Sequence, residues 1–128
     1  MPEDTQEDPI VCYLIIRESL GMSIGKTAAQ AAHGSQMLTL QYMDLKQKLL
    51  DIEKISIFEK WINSGIRKVV LKADDKEWVK LKEEFPEAVI IKDHGLTEIE
   101  AGSETCIALF PTYKSQRSKL IQRLQTLK

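Results

Sequence analysis

The chain has no apolar run approaching the roughly 20 residues that a membrane-spanning helix needs. It has no excess of charge of either sign: 18 basic and 19 acidic residues give a net charge of −1, which argues against a generally adhesive nucleic-acid binder. It has only two cysteines, Cys12 and Cys106, far apart in apolar segments and without CxxC or Cys/His spacing. Neither a disulfide framework nor a zinc site is indicated, and a reducing compartment, the cytoplasm, is expected. Internal repeats and low-complexity tracts are missing, and the opening residues, MPEDTQEDP, are acidic and polar, unlike a secretory signal. No GxSxG is present, and the two histidines, His33 and His94, are too far apart in sequence for a metal-ligand pair. Membrane, collagen-like and disulfide-stapled classes are thereby excluded, and neither metal, cofactor nor DNA is expected.

What remains is 128 residues of ordinary composition, 43% hydrophobic and 29% charged, enough for one core-forming domain. Charge is unevenly placed. The first ten residues carry −4 and the remaining 118 carry +3. Residues 1–8 read as a flexible acidic tail and 9–128 as a single domain. IVCYLII (10–16) is short, apolar and rich in β-branched residues, so it reads as a buried strand. Ser23 is placed to cap a long helix beginning KTAAQAAHGSQMLTLQYM, with Gly34 marking close packing within it. One or two further helical pieces are expected over 44–64, closed by Gly65.

RKVVLK (67–72) reads as a second strand, DDKEWVKLKEEF (74–85) as a capped amphipathic helix, and AVIIK (88–92) and ETCIALF (104–110) as third and fourth strands. Residues 113–127 are expected to form a basic amphipathic helix with Leu120, Ile121, Leu124 and Leu127 on one face. Alternating strands and helices imply an α/β domain with a mostly parallel sheet covered on both faces. The 93–103 connection is too short for a helical crossover, so the fourth strand runs antiparallel to at least one neighbour.

Two segments have the composition of a site. In SLGMSIGKTAAQ, a Gly-Lys-Thr opens a helix, but Gly21 lies four residues before Gly25 where a phosphate-binding P-loop needs five. A nucleotide triphosphatase is therefore not supported. Gly25 and Lys26 still sit where free N–H groups and a helix dipole favour an anion, although Lys26 reads equally well as a surface lysine. Gln30 and His33 lie on one side of the same helix, where a packing role for His33 is the simpler reading. In the second segment, Asp93-His94-Gly95-Leu96-Thr97 follows a buried strand, and Asp and Gly suit a turn as well as a functional loop. Thr97 and Thr105 flank the Ala101-Gly102 turn. Without a nucleophile–base pair, hydrolysis by an oriented water is the chemistry these residues can support.

Together the two segments resemble a known pattern. GMSIGKTAAQAAH resembles the MGKGKxAAQxAH signature of the type II (archaeal/eukaryotic-type) peptidyl-tRNA hydrolases, and DHGLTEIEAGSETCIALFP resembles that family's DAGxTQxxPGTxTxLAIGP segment. RKVVLKADDKEWVKLKEE resembles the intervening strand and helix, so the likeness spans about residues 11–111. It implies a three-layer α/β/α domain with a four-stranded mixed sheet, one strand antiparallel, commonly as a homodimer. It also implies metal-independent hydrolysis of the ester joining peptide to tRNA. The residues associated with activity fall on Lys26, Asp93, Thr97 and Thr105, with Gly25, Gln30 and His33 on the substrate side.

In this reading Lys26 and the helix N–H groups hold a phosphate or oxyanion, Asp93 orients or deprotonates the water, and the threonines position the water or the loop. The chain departs from the pattern at Ser23-Ile24 in place of Gly-Lys, at His94 for alanine, at Glu98 for glutamine and at Ala101-Gly102-Ser103 for Pro-Gly-Thr. These departures motivate a rival: a catalytically inactive RNA- or protein-binding module on the same fold.

Overall fold

The first strand organises the molecule. In β1 (Ile10–Arg17) seven of eight residues are buried. Ile10, Cys12, Leu14 and Ile16 point into one apolar cluster, and Val11, Tyr13 and Ile15 into another. A strand buried on both faces has no need to alternate polar and apolar residues, which is why IVCYLII is apolar throughout. The computed structural model describes residues 7–95 and 99–128. Its elements after β1 are α1 (Ile24–Lys48), α2 (Ile52–Asn63), β2 (Lys68–Ala73), α3 (Asp75–Glu84), β3 (Val89–Lys92), β4 (Glu104–Ala108), β5 (Thr112–Tyr113), α4 (Lys119–Arg123) and β6 (Gln125–Thr126).

The sheet runs β3-β4-β1-β2-β6, with β5 paired to the start of β1. β1 and β2 are parallel, from Cys12↔Lys68 to Arg17↔Ala73. β4 is antiparallel to both of its neighbours, β1 and β3. The expected α/β class and antiparallel fourth strand are therefore present, but the sheet is not mostly parallel: β1 with β2 is the one parallel pairing among the described residues, because β5 and β6 also join antiparallel. The strand count is corrected from four to six, because two two-residue strands, β5 and β6, are added. Helices α1 and α2 cover one face around Leu38, Phe58 and Trp61, while α3 and α4 cover the other around Trp78, Leu81, Leu120 and Ile121.

Local signals explain most element boundaries. The Ser23 side chain accepts the Lys26 N–H at the start of α1. Asp74 and Glu77 complete a reciprocal capping box at α3. Gly34 lies where α1 crosses the sheet. A Cβ there would sit 3.1 Å from Ala108 Cβ and 3.2 Å from Cys106 Sγ, which is the close packing its position in the helix predicted.

The basic helix over 113–127 does not form. Residues 114–116 make a 3-10 turn, α4 holds only five residues, and the chain then extends so that Gln125–Thr126 pairs with the outer edge of β2. Leu120, Ile121 and Leu124 join the cluster under α3, whereas Leu127 packs with the cluster on the opposite face. A continuous helix would have placed all four on one face. Pairing with β2, including Leu127 N–H to Val70 O at 2.9 Å, prevails over the helical pattern.

Near the N-terminus, the Asp8 carboxylate accepts from the Ser115 N–H and Oγ, both at 2.8 Å. Of the tail expected over residues 1–8, residues 1–6 lie outside the described residues. Among the described residues no helix is long and apolar enough to cross a membrane.

Candidate active site

The carboxyl end of β3 meets the amino end of α1. Six residues separate β1 from α1, and they are folded rather than slack. A 3-10 turn over Glu18–Leu20 ends on Gly21 at φ +57. Arg17 Nε donates to Asp75 Oδ1 at 3.0 Å, Ser19 Oγ donates to the same oxygen at 2.7 Å, and Lys72 pairs with Glu18. These ties fix the connection against the start of α3 and so set where α1 begins. From that start Lys26 and Gln30, four apart, point down one side of the helix towards β3.

There they reach Asp93. Lys26 Nζ donates to Asp93 Oδ1 in an ion pair between two largely buried side chains. Gln30 Nε2 donates to the same oxygen at 3.2 Å. Asp93 Oδ2 accepts the Gly95 N–H at 2.7 Å, an Asx turn of the kind expected of Asp-x-Gly. The Asp93 main chain is held as well: its N–H donates to Ser103 O at 2.9 Å, and its carbonyl accepts from the Gly102 N–H at 2.7 Å. Gly95 is required at its position. It sits at φ +76, and a Cβ would lie 2.6 Å from that of Ala101.

The electrostatics follow from these contacts. The Lys26 ammonium holds the Asp93 carboxyl below its ordinary range. The Gly95 N–H and the nearby His94 act in the same direction, against the opposing effect of burial. The group is therefore ionised at neutral pH and is a poor proton acceptor. It is suited instead to orienting a donor. Lys26 retains further N–H groups beyond the one engaged by Asp93. Gln30, at 2% exposure, leaves its Oε1 buried without a hydrogen-bond partner, so an acceptor is on offer beside the ion pair.

The remaining sequence-predicted residues fall in different places. Thr105 is fully buried, and its hydroxyl donates to Ile91 O at 3.2 Å rather than to Asp93. The register explains this: Ile91 opposes Cys106 and Lys92 opposes Glu104, so Thr105 is the extra residue of a β-bulge one step before the site. His33 is exposed on α1. Gly25 is exposed with open space around its Cα. Thr97, together with the departure at Glu98, lies outside the described residues. Ile24, in the first turn of α1, is 91% exposed where the resemblance places a lysine.

Gln30 was expected to contact substrate, and its role in gripping Asp93 was missed. The i to i+4 spacing from Lys26 was the signal that could have found it. Among the described residues no group of three or more His, Cys, Asp or Glu side chains is placed to share a metal ion.

Comparison with known proteins bears on the chain as a whole. The family described as peptidyl-tRNA hydrolase PTH2 matches residues 10–127. The chain is similar to a peptidyl-tRNA hydrolase of Thermococcus sibiricus, 40% identical over 103 residues that cover 77% of this chain and 80% of the relative. It is similar to one of Thermococcus onnurineus, 35% identical over 117 residues covering 88% and 92%. A third, of Methanopyrus kandleri, is 32% identical over 120 residues covering 90% and 96%. With the whole α/β core inside the matched span, the chain belongs to the peptidyl-tRNA hydrolase PTH2 family.

Proposed function

We propose that this protein hydrolyses the ester bond of peptidyl-tRNA, releasing free peptide and tRNA, in the pocket formed by Lys26, Gln30 and Asp93. The observation that carries the assignment to this pocket is the meeting of Lys26 and Asp93, 67 residues apart in sequence, in one mostly buried ion pair. The ionised Asp93 orients a water at the acyl carbon. The water oxygen bonds to that carbon, the carbon–oxygen ester bond breaks, and a water proton leaves on the ribose hydroxyl. The free N–H groups of Lys26 and of the first turn of α1 hold the adjacent phosphate or the developing oxyanion. Thr105 acts at one remove, fixing the bulge that delivers Asp93. Thr97 is assigned to water or loop positioning on the resemblance.

The intact Lys26–Asp93 pair supports turnover, and no observation favours the inactive binding module. As part of the same proposal the protein works in the cytoplasm, with which its two free, buried thiols are compatible, and as a homodimer. Met37, Leu40 and Met43 form an exposed apolar stretch of α1 that suits self-association. Sedimentation should then return twice the 14.6 kDa chain mass.

The deciding assay is release of labelled peptide from peptidyl-tRNA by purified protein. Asp93→Asn should lower the rate by about 10²- to 10⁴-fold with folding unchanged. Lys26→Ala should weaken tRNA binding and lower its salt slope by about one. Binding without cleavage by the unaltered protein would instead establish the module.

A further inference from the structure

The peptide half of the substrate also needs a place, and β3 offers one. β3 is an outer strand of the sheet: it pairs with β4 on one side, and among the described residues no strand pairs with the other. Its backbone direction can be read from side contacts. Ile91 O is turned inward, since it accepts from Thr105 Oγ1. The main chain of Asp93 is also turned inward, towards Ser103 and Gly102. Alternation then turns the N–H and C=O groups of Ile90 and Lys92 to the open edge.

That edge runs directly into Asp93 at its carboxyl end. At its amino end it reaches a cleft of about 420 Å³ whose walls include Phe85, Glu87, Ala88, Val89, Phe110 and Lys54. The strand holds four residues, so pocket and cleft are separated by about 13 Å of edge.

We propose that the nascent peptide adds to β3 as a parallel outer strand, its esterified residue at Asp93 and its preceding residues hydrogen-bonded to Ile90 and Lys92 on the way to the cleft. Two observations argue for a peptide as the occupant. The edge is continuous with Asp93, where the peptide's C-terminal carbonyl must lie. The cleft mixes aromatic, aliphatic, acidic and basic groups rather than selecting one side chain. Main-chain pairing is also the recognition mode that accepts any sequence, as a hydrolase acting on arbitrary nascent peptides requires. The inference rests on the assignment of the Lys26–Asp93 pocket as the hydrolytic site.

The test uses the unaltered full chain and two series of peptidyl-tRNA substrates. In the first, peptide length rises from one acetylated residue to six. kcat/KM should climb until about four residues are present and then level off. In the second, each backbone N–H of a hexapeptide is replaced in turn by oxygen, which removes one donor without adding bulk. Alternate positions within the last four residues should each lose about threefold to tenfold in kcat/KM, with the positions between them little changed. Hydrolysis that is indifferent to length and to every replacement would overturn the edge pairing while leaving the active site standing. No hydrolysis of any substrate would instead remove the functional reading beneath it.

Discussion

Asp93 is described by its partners more than by its chemistry, and its titration should report them. Its carboxyl is held below the ordinary value of 3.8, chiefly by Lys26. The sign follows: a depressed folded-state value contributes stability that is present above pH 3.8 and is lost as pH falls through the lower folded value. The carboxyl carbon of Asp93, followed by NMR, should titrate with a midpoint below 3.8, and Lys26→Met should move that midpoint upward. A midpoint at or above 3.8 in the unaltered protein would contradict the ion pair. Correspondingly, peptide release should show no inflection from Asp93 between pH 5 and pH 8. Gly95 is the second residue with a sharp expectation. Gly95→Ala places a Cβ 2.6 Å from Ala101 at a positive φ. It should destabilise the protein by about 1–3 kcal/mol in urea and slow peptide release by disturbing the Asx turn. At this scale the Asp-x-Gly turn is legible from composition. The approach of Lys26 to Asp93 is legible only through the resemblance, because nothing local fixes which strand end the first turn of α1 will face. Gln30 shows the same gap: its spacing is visible, but burial at 2% depends on where α1 crosses β3.

Helices and strands with their own start and stop signals are legible in the sequence. Ser23 caps α1 as expected, and of the two aspartates that could cap α3 it is Asp74 that does so, with the helix beginning at Asp75. The break between α1 and α2 is less visible, because Leu49 and Asp51 take the left-handed conformation without glycine. Over 113–127 a regular apolar spacing lost to an unpaired strand edge, a competitor that no local pattern announces. Gly34 is the element-scale position with the clearest consequence. It is where α1 can lie closest to β1 and β4, so Gly34→Leu must push the helix off the sheet. The cost should be about 3 kcal/mol in urea unfolding. Because Lys26 and Gln30 ride on the same helix, peptide release should fall as well, even under conditions where the variant remains folded. A variant with wild-type stability would show that α1 is not held at this spacing.

Across the whole molecule the two edges of the sheet are treated differently. β6 and Leu127 cover the outer edge of β2, and α4 packs its two buried apolar residues, Leu120 and Ile121, behind them. The outer edge of β3 has no pairing strand among the described residues. Open edges invite pairing with other chains, so covering one and leaving the other is a meaningful asymmetry. The strand order puts β6 four positions from β3. This separation yields a prediction with two parts that must hold together. Deleting residues 125–128 removes the β6 pairing and the Leu127 N–H bond to Val70 O, leaving β2 exposed. Stability in urea should drop by about 1–3 kcal/mol, and sedimentation should show concentration-dependent association beyond that of the full chain. Peptide release per folded chain should nevertheless stay within about twofold of the full-length rate, because Lys26, Gln30, Asp93 and the β3 edge are untouched. A deletion that abolished release while the remaining chain stayed folded would mean that the carboxyl-terminal strand reaches the substrate, and that the active site extends across the sheet rather than lying at the β3 end alone.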